Sequence, residues 1–297
     1  MGEMTTRQAL EEFKTVYLPA RNYAFRTRKE YSNDLEELVM FLEQIGISRV
    51  GDIALIHLER YLAQLDQKGY AGATRKRKTV AIRTFFGYLV QDGCVANDVS
   101  RRLITPYAEN KLPRVLTRAE YQRLIDACAG NHRDTAIVVL LLQTGIRLSE
   151  LVRLTPGDIE LPEENVVDQD FGQLRILGGG GRKDRIVPLN SKACQTLRDY
   201  LKTRPESRFH SLLHNRDGSV LGPRGIQKIL HKYFTQTGIK GVSVHSLRHT
   251  FGTHHAAKGT DIKTIQEVMG HKDVRNTEIY LSLAKELQRK DLEEHAL

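Results

Sequence analysis

His245-Ser246-Leu247-Arg248-His249, followed by Met269-Gly270-His271 and then by Ile279-Tyr280, is the stretch on which the reading of this chain turns. His245 lies three residues from Arg248 and four from His249, so all three share one side of a helix. Upstream, an isolated arginine stands in Thr144-Gly145-Ile146-Arg147-Leu148-Ser149-Glu150-Leu151. Arginines hold phosphate oxygens through paired N–H donors, and histidines move protons near neutral pH. A phenolic oxygen attacks phosphorus once cations or a base assist it. Each residue also has a plainer reading. Arg147 fits an internal ion pair with Glu150 or Asp158, since an unpaired buried charge is very costly. Tyr280 sits at apolar spacing and fits a core. His245 and His249 at i and i+4 suggest a metal, but Ser246 stands where a zinc protease carries its glutamate, and no third ligand is recognisable. His254 and His255 read as helix-surface residues.

The basic balance points the same way. The 297 residues carry a formal net charge of +9. Residues 1–110 hold 16 Lys and Arg against 14 Asp and Glu, whereas 111–297 hold 29 against 22, so most of the excess travels with the motifs. Such a surplus favours a polyanion, because Lys and Arg displace counterions from a nucleic-acid backbone. No apolar run approaches the ~20 residues of a membrane span. Met1-Gly2-Glu3-Met4-Thr5-Thr6-Arg7 carries no apolar signal core, so a cytoplasmic protein is expected. Cys94, Cys128 and Cys194 are odd in number and far apart, and read as reduced, mostly buried thiols.

Outward from the motifs, the first hundred residues read as a helical bundle. One helix covers Thr27 to Ile45, with Tyr31, Leu35, Leu38, Val39, Leu42 and Ile45 on one face. Others cover Leu58 to Gln67, Ala73 to Gln91 (Val80, Ile82, Phe85, Phe86 and Leu89 inward) and Arg7 to Tyr17. Arg75-Lys76-Arg77-Lys78 opens the third of these. Cations at a helix N-terminus are unfavourable, so an external anion is expected to compensate. Arg75, Lys76, Arg77, Lys78 and Arg83 are therefore read as lying along a DNA groove, with a solvated basic face as the alternative. Pro106 and Pro113 mark a linker. Thr117 with Glu120 resembles a capping box, and Asp134 to Gln143 a buried helix ended by Gly145. Asp158–Leu161, Gln173–Leu177 and Arg185–Leu189 read as short strands, the last two joined by a Gly-rich turn.

Taken together, the chain resembles a tyrosine recombinase of the phage integrase family, Xer-like in length and layout. The likeness runs over nearly all of it. The family's T-G-x-R-x-S-E-L motif falls on Arg147, with Glu150 matching its early acid. H-x-L-R falls on His245 and Arg248, L-G-H appears as Met269-Gly270-His271, and the nucleophile falls on Tyr280. One departure stands out. Aligning Arg185-Ile186-Val187-Pro188-Leu189 to the family's strand pattern puts Gly180 where its catalytic lysine belongs. Lys183 matches the second lysine, and Arg182 is a further candidate.

The resemblance implies a mainly α fold. A core-binding, SAM-like helical bundle (1–105) precedes a linker (106–116). An α-rich catalytic domain (117–297) follows, with a small three-stranded antiparallel sheet. It implies a site-specific recombinase that cuts and rejoins double-stranded DNA through a 3′-phosphotyrosyl intermediate, without metal, ATP or other cofactor. The catalytic set is then Arg147, Lys183, His245, Arg248, His271 and Tyr280. A homotetramer would join two recombination sites, in part through residues 285–297, where Leu287, Leu292 and Leu297 recur. The short N-terminal stretch argues against an arm-type domain and favours a simple Xer-like or mobile-element enzyme. The alternatives are a DNA-binding protein of the same fold with impaired chemistry, because of Gly180, and a type IB topoisomerase-like relaxing enzyme.

Overall fold

The computed structural model describes residues 4–108, 112–163, 171–179, 183–271, 273 and 275–294. Contacts divide the chain into two units, Met1–Lys111 and Leu112–Leu297, a division inside the stretch read as the linker. Gly180, Arg182 and Leu297 lie outside the described residues, as does the side chain of Leu292.

The first unit is helical. α1 (Thr6–Glu12) runs through a π-helical stretch, Phe13–Tyr17, into α2 (Leu18–Ala20). α3 (Phe25–Gln44), α4 (Leu55–Gln67) and α5 (Gly72–Gln91) follow. Residues three and four apart supply the core: Leu35, Leu38, Val39 and Leu42 from α3, Leu58, Tyr61 and Leu65 from α4, and Phe85, Phe86 and Leu89 from α5. Two residues assigned to this core lie outside it. Val80 is 41% exposed, because Thr79 and Ala81 take the inward positions, and Ile45 is 39% exposed past the last turn of α3.

The basic run at the start of α5 needs a larger correction. Three of its four cations, Arg75, Arg77 and Lys78, are compensated from within. Arg75 pairs with Asp66 at 2.8 Å and Arg77 with Asp34. Lys78 is 4% exposed and sits between Asp34 at 3.0 Å and Glu37 at 2.7 Å. Arg83 donates to Thr105 Oγ1 at 2.9 Å and to the Leu103 carbonyl at 2.6 Å. Asp34 is itself buried, and a buried carboxylate demands such partners. Lys78 is therefore out of a phosphate's reach, while Lys76 is exposed.

In the second unit, Thr117 and Glu120 form the expected capping box at α6 (Arg118–Cys128). α7 (His132–Thr144) is almost wholly buried and ends at Gly145, whose φ of +59° turns the chain into α8 (Leu148–Leu151). A Cβ on Gly145 would stand 2.4 Å from the Phe251 ring, so glycine is required there twice over. β1 (Ile159–Glu160), β2 (Gly172–Ile176) and β3 (Arg185–Leu189) form an antiparallel sheet in that order, with Leu174 opposite Val187. β1 is shorter than expected because Pro156–Asp158 is a helical turn, with Asp158 accepting from the Thr155 N–H and hydroxyl. α9 (Ser191–Thr203), α10 (Pro223–Gln236), α11 (Val244–Ala257), α12 (Ile262–Met269) and α13 (Arg275–Glu294) complete the unit. α11 packs against both α7 and α13. The chain is thus mainly α with one small three-stranded antiparallel sheet. Among the described residues no helix is long and apolar enough to cross a membrane.

Candidate active site

Four chain segments meet where α12 ends. Gly270 adopts φ +64° there, and the His271 N–H closes the turn on the Gln266 carbonyl at 3.1 Å. A helix C-terminus leaves carbonyls unsatisfied and carries partial negative charge. Three successive carbonyls here each receive an arginine. Arg185 Nε donates to Val268 O at 2.7 Å, Arg248 Nη2 to Met269 O at 2.6 Å, and Arg147 Nη2 to Gly270 O at 2.7 Å. Arg248 also donates to the Gly145 carbonyl, the residue that ends α7.

One carboxylate joins two of these arginines. Glu150 is 5% exposed. Its oxygens accept from Arg147 Nη1 at 2.9 Å and from the Arg147 N–H at 2.8 Å. They accept from Arg185 Nη2 at 2.8 Å and Nη1 at 3.2 Å as well. Burial alone would raise the Glu150 pKa, but the bonds from Arg185 and Arg147 pull it down to about 2. The internal pair considered for Arg147 therefore exists, yet it does not exhaust the site. Counting Arg147, Arg185 and Arg248 against Glu150, the cluster is two charges positive. Burial, then the charge of Arg147, lowers the Arg248 pKa to about 10, which still leaves it cationic at neutral pH.

Tyr280, on α13, is 1% exposed, and its phenol is near enough to Arg248 and Arg147 to feel their charge. Its ring centroid is 6.1 Å from that of His271 and 5.8 Å from that of His249. Burial pushes the phenol up to about 12, against the pull of Arg248 and Arg147, so it is protonated and needs a base to become a nucleophile. Burial and the nearby arginines Arg248 and Arg147 hold His271 neutral, at about 3. Its Nδ1 lies 2.8 Å from the Thr277 hydroxyl. His249 is lowered to about 4 by burial, then by His245 and Arg248.

Of the residues picked from the sequence, Arg147, Arg248, His271 and Tyr280 come together. His245 is exposed on the first turn of α11. Lys183 is exposed between β2 and β3, and makes none of the hydrogen bonds that tie the cluster. His254 and His255 are part-buried: His254 Nε2 is 2.9 Å from the Leu116 carbonyl, and His255 lies against Phe251. Arg185, Thr277 and Gly252 were missed. Arg185 opens Arg185-Ile186-Val187-Pro188-Leu189, where the sequence pattern marks it only as the first residue of a strand. Gly252 carries no charge to mark it, yet a Cβ there would stand 2.7 Å from the Tyr280 ring.

The phage integrase family matches residues 114–286, and the family described as phage integrase, N-terminal SAM-like domain, matches residues 10–93. A tyrosine recombinase XerC of Pelotomaculum thermopropionicum is 33% identical over 295 residues, 93% of this chain and 94% of that protein. A tyrosine recombinase XerD of Corynebacterium glutamicum is 32% identical over 304 residues, 96% of this chain and 97% of that one. Among solved structures, a lambda integrase tetramer bound to a Holliday junction shares the fold, with a TM-score of 0.73, 17% identity, and 91% and 78% of the two chains covered. With the integrase match spanning the segments that carry the arginine cluster and the buried tyrosine, and with likeness to XerC and XerD running the length of the chain, the chain belongs to the phage integrase family and is a tyrosine recombinase, an enzyme of site-specific DNA recombination.

Proposed function

We propose that Tyr280 is the nucleophile and that the arginine cluster holds the scissile phosphate. The observation that carries this is a phenol beside a cluster two charges positive. A pentacoordinate phosphorane bears more negative charge than the phosphodiester it forms from, so such a surplus favours the transition state over the ground state. Arg147 and Arg248 take the non-bridging oxygens, and His271, uncharged, adds a donor from its ring. His245 accepts the phenolic proton as Tyr280 Oη bonds to phosphorus. The bond from phosphorus to the 5′-oxygen breaks, and Lys183 gives that oxygen its proton. The 3′-phosphotyrosyl linkage conserves the bond energy. A 5′-hydroxyl from the partner strand then reverses the step without metal or ATP.

The further reading is a homotetramer on two DNA sites, in the cytoplasm, acting in Xer-like fashion or in the movement of a mobile element. The lambda integrase tetramer on a Holliday junction supports the assembly through likeness of fold. Arg75, Lys76 and Arg77 are proposed as phosphate contacts of the first unit, with Lys76 the freest to serve. Binding without chemistry, and topoisomerase-like relaxation, are not favoured, because the recombinase relatives match along the whole chain.

The test is covalent capture. The protein and Tyr280→Phe are incubated with fragmented host DNA, denatured in SDS, and the retained DNA is sequenced. Adducts from the unmodified protein alone, with binding equal in both, are the expected result. Adducts from Tyr280→Phe would remove the nucleophile assignment.

A further inference from the structure

We infer that Arg185 is a positioning residue for the phosphate-holding arginines, an inference that rests on the proposed function. Its guanidinium is spent inside the protein. The side chain is 10% exposed, Nε is committed to Val268 O at 2.7 Å, and both Nη atoms go to Glu150, at 2.8 and 3.2 Å. It is thus poorly placed to touch DNA. Its two partners are the two structures that aim Arg147. Glu150 takes Arg147 Nη1, while Arg147 Nη2 rests on the Gly270 carbonyl, two residues after the one Arg185 binds. Arg185 therefore ties the acid to the end of α12 and fixes the distance between the two points from which Arg147 hangs. Arg248 hangs from the carbonyl between them.

The charge balance gives this arrangement its direction. Glu150 now divides its acceptors between two arginines. Without Arg185, a buried carboxylate with a single cationic partner draws that partner in, because an uncompensated buried charge is very costly. Arg147 then turns from the phosphate toward Glu150. Gly270 belongs to the same device: a Cβ there would stand 2.9 Å from Arg185 Nη1, at a φ of +64° that already disfavours a side chain. The signal in the sequence was the arginine opening Arg185-Ile186-Val187-Pro188-Leu189, read there only as part of a strand.

The experiment uses the full chain and a duplex recovered by covalent capture. Arg185→Gln and Arg185→Lys are compared with the unmodified protein for melting temperature, duplex affinity and rate of covalent adduct formation. The rate is measured on the ordinary scissile phosphate and on a methylphosphonate, in which a neutral methyl replaces one charged oxygen. A misplaced Arg147 matters less when there is less charge to hold, whereas general loosening harms both substrates alike. Arg185→Gln is expected to bind the duplex within about threefold of the unmodified protein and to lose about a hundredfold in rate on phosphate. On methylphosphonate the loss should be at least tenfold smaller, and Arg185→Lys should recover part of the rate. Equal losses on the two substrates, or a loss that follows the fraction unfolded, would overturn the positioning role and leave the proposed function standing. If the unmodified protein forms no adduct at all, the proposed function fails, and this role fails with it.

Discussion

Tyr280 has no room to spare. Gly252, on α11, faces the phenol ring, and a Cβ there would approach Cε2 to 2.7 Å, well inside any normal contact. Overpacking of this kind costs about 1–3 kcal/mol, and here the group that gives way is the proposed nucleophile. Gly252→Ala should therefore lower adduct formation by about tenfold or more while DNA affinity stays unchanged; a variant as fast as the original would show that the ring relaxes freely. The buried histidines set a second expectation. His271 is held neutral at about 3 and His249 at about 4, against an ordinary 6.5. As pH falls below 6.5 the unfolded chain takes up protons first, so their stabilisation is complete above that value and declines toward 4 and then 3. Glu150 acts in the same direction lower down, with stabilisation present above its ordinary 4.5 and lost between there and about 2. The melting temperature should fall steadily from pH 6.5 to 3, and His271→Gln should make that fall shallower over the whole range. Parallel curves for the two proteins would mean that His271 does not titrate as its burial requires.

At the scale of the element, α5 shows where a sequence can mislead. A run of four cations reads as a surface awaiting an anion, because the compensating acids are remote in sequence: Asp34 and Glu37 on α3, Asp66 on α4. Only packing of α3 and α4 against α5 brings them near, and no local pattern announces that. The two kinds of cation should separate experimentally. Lys78→Ala leaves Asp34 buried with one partner fewer, and loss of a buried pair's partner costs about 3–5 kcal/mol. It should sharply lower the denaturant midpoint. Lys76→Ala should leave the midpoint in place, and instead reduce the salt dependence of DNA binding by about one phosphate contact. Equal stability of the two variants would contradict the buried pairing. The helices themselves were more legible than their partners. The inward residues of α3, α4 and most of α5 follow apolar spacing, and the capping box at Thr117 is local chemistry. β1 was misjudged by the turn at Pro156, and the cradle at the end of α12 is made by residues from β3, α8 and α11, which no single window of sequence contains.

Across the whole molecule, the motifs of the second unit were legible because each stands in a short run with a distinctive neighbour. Their assembly depends on α13 returning to α11. That helix does two things. Its first turns carry Tyr280, with Leu283 and Ala284 buried beside it. Beyond Lys285, Leu287 is half-buried, and Gln288 Nε2 donates to the Ala257 carbonyl at 3.1 Å. A truncation after Lys285 keeps Leu283 and Ala284 beside the proposed nucleophile and removes the segment proposed to reach a neighbouring copy. Deleting residues 286–297 should leave binding to a single half-site, and adduct formation on it, close to those of the full chain. Cooperative occupation of paired half-sites, read as the steepness of a gel-shift titration, should be lost. Retained steepness would remove this segment from the proposed tetramer, whereas loss of single-site adducts would mean that the last turns of α13 are needed to hold Tyr280 itself.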